Sequence, residues 1–506
     1  MNLKRILKLL AAFFTGQGVS IVTQLLIPPL FLHRYASGVE LYGEWVALTA
    51  AVSYLNTLNS GIQTYANNQM AIHYSGGEVE QAKVVQASAV KLSIGLIFIV
   101  AVAGSTVLMM PLARWLHLKF VGSFDASLTV FLLTLQIVFG WLFSLLFNSY
   151  MVLGRAHRGQ NWGNFQRLAA VLIMSLLLWQ RASFPVLALS QLATAVLFTV
   201  LVAVDIRLNA PILLPSLRLG DARSMMSIIR PSAYFGLFSI SGFLVWQGPV
   251  LLIQMILGPA AVAIFSLTRM LFNFSRLMLS AVTFSISQEI TIMAGSQNWS
   301  GLLRLYDLSE RVVLFLVTTV GIAVPFLCPL AFTFWLHKPS LYNPELCLLM
   351  AIVFALVNIK DHKIQFQYST NRHQQLAVIS LLSYVIMCGL GVLGLRYTGI
   401  VSLMLLWMAA EAVQAISILL LNRKLFPSEI RVSVAPVLRA LVLLGLCFSV
   451  IAWPLLHSVS WSLTSSAAIA IVILTGASVM AYFTFGLREI RTLVAARLRQ
   501  RFATVH

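Results

Sequence analysis

The feature that most restricts this chain is a repeated one. Apolar stretches of about 20 residues, the length a helix needs to cross hydrocarbon, follow one another from end to end with short polar joints between them. They run over 9–32, 43–66, 87–111, 127–150, 168–182, 186–206, 232–256, 260–284, 311–334, 346–369, 376–396, 398–421, 437–456 and 464–485, the fifth being short. In a bilayer every backbone N–H and C=O needs an internal partner, so runs of this length are expected to be helices. A membrane barrel would alternate apolar and polar residues over runs of about ten, and that pattern is absent. The expected fold class is an all-α polytopic membrane protein with about fourteen transmembrane helices. A content of 59% hydrophobic and 10% charged residues excludes an ordinary soluble domain.

Basic residues sort to one side of these spans. Lys4, Arg5 and Lys8 precede the first run, which continues past Gln17 to Leu32 without a cleavage pattern, so an uncleaved first span is expected. With this start inside, Arg207, Arg223, Arg230, Arg372, Arg423, Arg439 and the tail arginines Arg488, Arg491, Arg497, Arg499 and Arg501 are cytoplasmic; Arg34, Arg114, Lys119, Arg181, Lys338 and Arg396 face the other side. The bias predicts an even number of spans with both termini cytoplasmic. It also explains most of the net charge of +19, which forms no single basic stripe, so no nucleic-acid partner is expected. The tail suits anionic membrane lipid. Arg155, His157, Arg158 and Arg167 read as a topogenic loop. Cys328, Cys347, Cys388 and Cys447 stand singly in apolar runs, with no disulfide, metal or redox spacing and no cofactor implied. Asn298-Trp299-Ser300 matches a glycosylation triplet on the predicted cytoplasmic side and is read as chance.

Several spans carry groups that hydrocarbon does not tolerate alone. Arg269 and Arg276 lie seven residues apart in the run 260–284, two turns along one helix face. An intramembrane ionisable group is a functional candidate because it is stable only beside a partner or a wet cavity; the alternative is snorkelling to headgroups, more so for Arg276. Gln17 and Gln24 share a face of the first span, ahead of Pro28 and Pro29. Asn56, Asn59, Gln63 and Asn67 form one stripe of the second. Each amide alone is either interhelical glue or part of a lumen; the stripe together favours a lumen. Gln247 and Gln254 lie seven apart in the seventh span. The tenth holds Lys360, Asp361 and Lys363, either in a cavity or at the mouth of a tilted helix. Glu411, in the middle of the twelfth, either pairs with a neighbouring cation or, like Asp361, is a candidate for a coupling proton or sodium ion.

The stretch 207–231, with Pro211, Pro215 and its arginines, is the longest without a span and is taken as a cytoplasmic linker. It separates a six-helix lobe, 1–206, from a second, 232–425, followed by two added helices and a basic tail, 426–506. An offset of 220 residues between the halves brings Pro29 onto Pro249, Gly38 onto Gly258, Trp45 onto Phe265, Lys91 onto Arg311 and Asn56 onto Arg276. Internal repeats of this kind build transporters whose site lies between the halves.

The basic start, the Gln17 to Pro28 stretch, the Tyr42-Gly43-x-Trp45 entry to span two, Gly61 and Asn67 near its end, and the Gly258 entry to an arginine-bearing span resemble a polysaccharide-biosynthesis lipid flippase. This is the O-antigen, Wzx-type branch of the multidrug/oligosaccharidyl-lipid/polysaccharide (MOP) exporter superfamily. The resemblance implies two six-helix lobes around a central cavity opening alternately to each side, plus two C-terminal helices. It also implies a bacterial inner-membrane location and a polyprenyl-pyrophosphate-linked oligosaccharide as substrate, with association with other polysaccharide-assembly membrane proteins as a further expectation. The residues suit such a substrate: arginine forks match phosphate oxygens, and the amides of spans one, two and seven suit sugar hydroxyls. Arg269, Arg276, Lys360, Lys363, Asn56, Asn59, Gln63, Gln17, Gln24 and Gln247 are the headgroup candidates.

Two rivals stand beside this reading. A multidrug exporter of the same superfamily needs a cavity carboxylate for organic cations, and the first lobe offers only Glu44 near a helix end. A membrane-embedded O-antigen polymerase or ligase needs a catalytic loop, and no Ser/His/Asp constellation or metal spacing appears in the joints, so no enzyme is expected.

Overall fold

The structure, a computed structural model, describes residues 3–56, 62–63, 66–67, 69–70, 73–74, 77–152, 155–209, 217–295, 297–370, 372–427, 432–456 and 463–487. No strand occurs among them. The principal helices are α1 (Leu3–Arg34), α2 (Gly38–Val52), α3 (Val79–Ser105), α4 (Ser123–Val152), α5 (Ala156–Trp179), α6 (Phe184–Asn209), α7 (Ala222–Trp246) and α8 (Gly248–Ile256). They continue with α9 (Pro259–Gly295), α10 (Trp299–Leu330), α11 (Pro344–Ser369), α12 (Gln374–Thr398), α13 (Ile400–Arg423), α14 (Ala435–Leu456) and α15 (Leu463–Thr484). Every apolar run read from the sequence overlaps one of these helices, and the seventh holds the end of α7 and all of α8. Nine described segments are long and apolar enough to cross a membrane on those grounds alone. The protein is a multi-pass membrane protein. Helix α11 is not one of the nine, because Lys360, Asp361 and Lys363 interrupt its hydropathy.

The helix boundaries repeat. The offset of 220 that aligned scattered residues carries Val79, the start of α3, onto Trp299, the start of α10. It also brings α1 onto α7 plus α8, α2 onto the start of α9, α4 onto α11, α5 onto α12 and α6 onto α13, each within a few residues. Packing repeats with it: α4 lies on α6 and on α3, and likewise α11 on α13 and on α10. By its internal contacts the chain groups into two units, Met1–Ala263 and Ile264–His506. In the first, α7 packs on α3 and α8 on α2. In the second, α14 and α15 both pack on α10.

Local chemistry sets several boundaries. Pro249 has no amide hydrogen to continue the ladder, and the chain breaks at Gln247 between α7 and α8. Gly258, at φ +90°, makes the turn into α9 that a side chain would strain. Asp221 caps α7, accepting from Ser224 N at 3.0 Å, so this helix starts at Ala222, inside the stretch taken as linker. Asn298 of the glycosylation-like triplet caps α10, accepting from Gly301 N at 3.0 Å. Gly43 explains its own place in the Tyr42-Gly43-x-Trp45 signature. A Cβ there would sit 1.8 Å from the Pro259 carbonyl oxygen, so α2 and the start of α9 approach backbone to backbone.

One expected loop is a helix. Arg155 to Arg167 was read as a joint before a short span, yet α5 begins at Ala156 and runs 24 residues. Hydropathy misses its first turns because their polar groups are satisfied sideways. Asp205 of α6 accepts from Arg158 Nε at 3.0 Å and Nη2 at 2.5 Å, from Trp162 Nε1 at 3.1 Å and from Asn209 Nδ2 at 3.0 Å, and the Tyr150 hydroxyl of α4 also donates to it. One carboxylate thus ties three helices of the first unit together.

Candidate functional site

The second unit concentrates its intramembrane charge on one turn of α11. Successive residues of an α-helix point about 100° apart, so four in a row face four directions. Lys360 points to α12 and α13: its Nζ is 2.5 Å from Glu411 Oε2 and donates to the Tyr384 hydroxyl at 2.7 Å. Glu411 Oε1 accepts in addition from Tyr384 at 2.8 Å and from Trp407 Nε1 at 3.1 Å. Asp361 points to α9, where its Oδ2 accepts from Arg276 Nε at 2.8 Å. His362 and Lys363 point to α10. The imidazole Nε2 lies 3.0 Å from Ser309 Oγ, while Lys363 pairs with Glu310 and stands 3.6 Å over the Tyr306 ring. Asn422 of α13 closes the turn, donating to the Lys363 carbonyl at 3.0 Å and accepting from Gln367 at 2.9 Å.

These pairs differ in their access to solvent. Lys360 and Glu411 are 6% and 0% exposed, Lys363 and Glu310 1% each, whereas Arg276 and Asp361 are 39% and 34% exposed. A buried pair is no free source of stability, because desolvating two ions costs several kcal/mol that their attraction and surrounding hydrogen bonds only offset. The two lysines therefore stand in this structure as interior ion-pair partners. Arg269, one turn from Phe265 and 5.1 Å from its ring centroid, is half-buried, as is Arg276 two turns further along α9. Phe265 and Phe272 continue into an aromatic wall with Phe354 and Trp407.

The amide candidates lie in the first unit. Gln17 and Gln24 are half-buried on α1, Gln247 is half-buried at the α7–α8 break, and Asn56 is exposed. Gln63 faces α4, donating to the Trp141 carbonyl at 3.4 Å and accepting from Ser144 Oγ at 2.6 Å. Asn59 lies outside the described residues. Glu44, the carboxylate weighed for a cation exporter, is buried, and its Oε1 accepts from the backbone N–H of Lys119 at 2.5 Å and of Phe120 at 3.0 Å.

Sequence reading missed Glu310, Tyr306, Tyr384 and Trp407. Glu310 fell one residue before the apolar run begun at 311, and the others look like ordinary span residues until the charges they meet are known. Among the described residues no group of three or more His, Cys, Asp or Glu is placed to hold a metal.

The architecture has solved counterparts. The chain is similar to a structure described as the lipid II flippase MurJ in an inward closed conformation, with a TM-score of 0.67, 11% identity, and 97% of this chain and 100% of that one covered. It is also similar to an inward-facing multidrug resistance MATE family transporter of the MOP superfamily, with a TM-score of 0.64, 12% identity, and 80% and 95% covered. No family model matches the sequence, nor does any curated protein. The fold is thus one found in a solved lipid flippase and in a solved multidrug transporter.

Proposed function

We propose that this protein flips a polyprenyl-pyrophosphate-linked oligosaccharide, an O-antigen or related surface-polysaccharide unit, from the cytoplasmic to the outer leaflet of a bacterial inner membrane, with Arg269 and Arg276 contacting the pyrophosphate. The observation that carries this reading is the sign of the charge the protein presents. Among the described residues, the intramembrane carboxylates Glu44, Asp205, Glu310, Asp361 and Glu411 are each held by a cation or by backbone amides, as an anion transporter requires and a cation exporter does not. The arginines of α9 are partly exposed, Arg276 together with its partner Asp361, and a guanidinium fork is matched to phosphate oxygens. Near-complete mutual coverage with a lipid flippase, 97% of this chain against 80% for the MATE match, supports the same choice. Glu411, paired with Lys360, is the candidate for coupling to a proton or sodium gradient.

The test is translocation of lipid-linked oligosaccharide in cells or vesicles at matched expression. Arg269→Ala and Arg276→Ala are expected to stop it while the protein stays inserted, and Glu411→Gln then reports on ion coupling. Full translocation by both arginine variants, with organic-cation efflux falling in Glu411→Gln, would replace this function with multidrug export.

A further inference from the structure

The geometry points to Asp361 as a resident counterion of Arg276, one that the anionic head of the substrate must displace and that reclaims the guanidinium on release. This inference rests on the function proposed above. Its first ground is the contrast among the three ion pairs of the α11 turn. Two are sealed, with all four partners at 6% exposure or less, and the third opens to solvent on both sides. A sealed pair gives an entering headgroup no route to its cation; an exposed pair does.

The second ground is chemical. Carboxylate and phosphate are alternative acceptors for the same guanidinium, and both give short charge-assisted hydrogen bonds. The charged groups around Asp361 leave Arg276 as its partner. On its own helix Lys360 lies close enough to act on it, but that ammonium is committed to Glu411 and Tyr384. Lys363 is committed to Glu310 of α10, His362 faces Ser309, and from the same helix Tyr368 is the further titratable group within reach. Displaced from Arg276, Asp361 therefore finds no second cation ready among these groups, and its return is what drives release. The third ground is the cost of the empty state. Without a counterion, a guanidinium inside the membrane between turnovers is unfavourable. Asp361 thus caps the affinity of the site and speeds product departure.

The experiment uses the full chain in lipid nanodiscs with farnesyl pyrophosphate as the probe, and reads Kd beside thermal stability. Arg276→Ala is expected to weaken binding at least about tenfold. Asp361→Asn and Asp361→Ser are each expected to tighten it by about three- to tenfold while slowing lipid-linked oligosaccharide turnover. Asp361→Glu, which keeps the charge, stays within about twofold of the parent, and Asp361→Asn adds nothing in an Arg276→Ala background. A merely structural Asp361 would misplace Arg276 when lost, so the sign of the change separates the two roles, and Asp361→Ser preserves the test if Asp361→Asn does not insert. If Arg276→Ala weakens binding but both neutral variants bind equally or more weakly, the counterion role is overturned and the anion site stands. If Arg276→Ala binds like the parent, or the parent does not bind the probe, the counterion role and the arginine site fall together.

Discussion

The Lys360–Glu411 pair makes the sharpest stability prediction. Its ions are 2.5 Å apart and 6% and 0% exposed, and the carboxylate also holds Tyr384 and Trp407. Lys360→Met leaves Glu411 as a buried anion with two neutral donors; Glu411→Gln keeps an acceptor for those donors but turns an amide toward a buried ammonium. Each single change is expected to cost about 3–5 kcal/mol, the usual result of stranding a buried charge. The double variant strands nothing. It loses the charge-assisted hydrogen bonds and recovers two desolvation penalties, so it is expected to cost no more than about 3 kcal/mol. The coupling energy from the cycle is then at least about 3 kcal/mol, well above what non-contacting sites show. Reversible denaturant unfolding of the purified chain in micelles, with all four forms measured together, gives this number. Additive costs, with the double variant equal to the sum of the singles, would refute the pairing and the burial argument built on it.

Two further outcomes follow from particular contacts. Gly43→Ala should abolish accumulation of folded protein, because its Cβ would meet backbone at 1.8 Å, whereas Gly18→Ala, with nothing within 4 Å, should change stability by less than about 0.5 kcal/mol; western blotting and fluorescence-detected gel filtration compare them. Replacing the sealed pair on α10 and α11 by the residues at the equivalent positions of the first copy, Glu310→Val with Lys363→Phe, should leave the fold within about 2 kcal/mol of the parent yet stop translocation. Normal transport by that double variant would make the pair a structural detail.

Much of the scaffold was legible because hydrocarbon imposes a length. Helices sit on every run, since about 20 apolar residues have few other ways to satisfy their backbone. Boundaries went astray where side-chain pairing makes polar residues tolerable, as at α5, whose first turns lean on Asp205, and at α7, which Asp221 caps before the apolar run begins. The charges of the site were equally visible: Arg269, Arg276, Lys360, Asp361, Lys363 and Glu411 stand out against their neighbours. Their pairing was not, because partners such as Glu310 and Glu411 are some 50 residues from Lys363 and Lys360 and no local spacing links them. The amide stripe shows the same limit, since nothing near Gln63 in sequence announces Ser144 as its partner.

The repeat turns these pairings into an argument about purpose. At the offset that matches the helices, the turn Lys360-Asp361-His362-Lys363 of α11 corresponds to Gly140-Trp141-Leu142-Phe143 of α4, Glu310 corresponds to Val90, and Glu411 to Gln191. At these positions the first copy builds the same helix order, with the same packing of the middle helix on its neighbours, from neutral residues, its own Asp205–Arg158 pair lying elsewhere. The fold therefore does not need the charges. Buried ion pairs are on average no more stabilising than the apolar side chains that replace them, so stability gives no reason for one copy alone to carry two sealed pairs and an open third. What the second copy has at these positions and the first lacks is a set of ions that ties α11 to α10, α12 and α13 while presenting Asp361 to Arg276 on α9. Asn56, which occupies the position of Arg276 in the first copy, has neither the charge nor the fork to hold an anion. The asymmetry between two otherwise matching halves is the feature of the scaffold that supports the proposed anion-binding role of the α9 arginines.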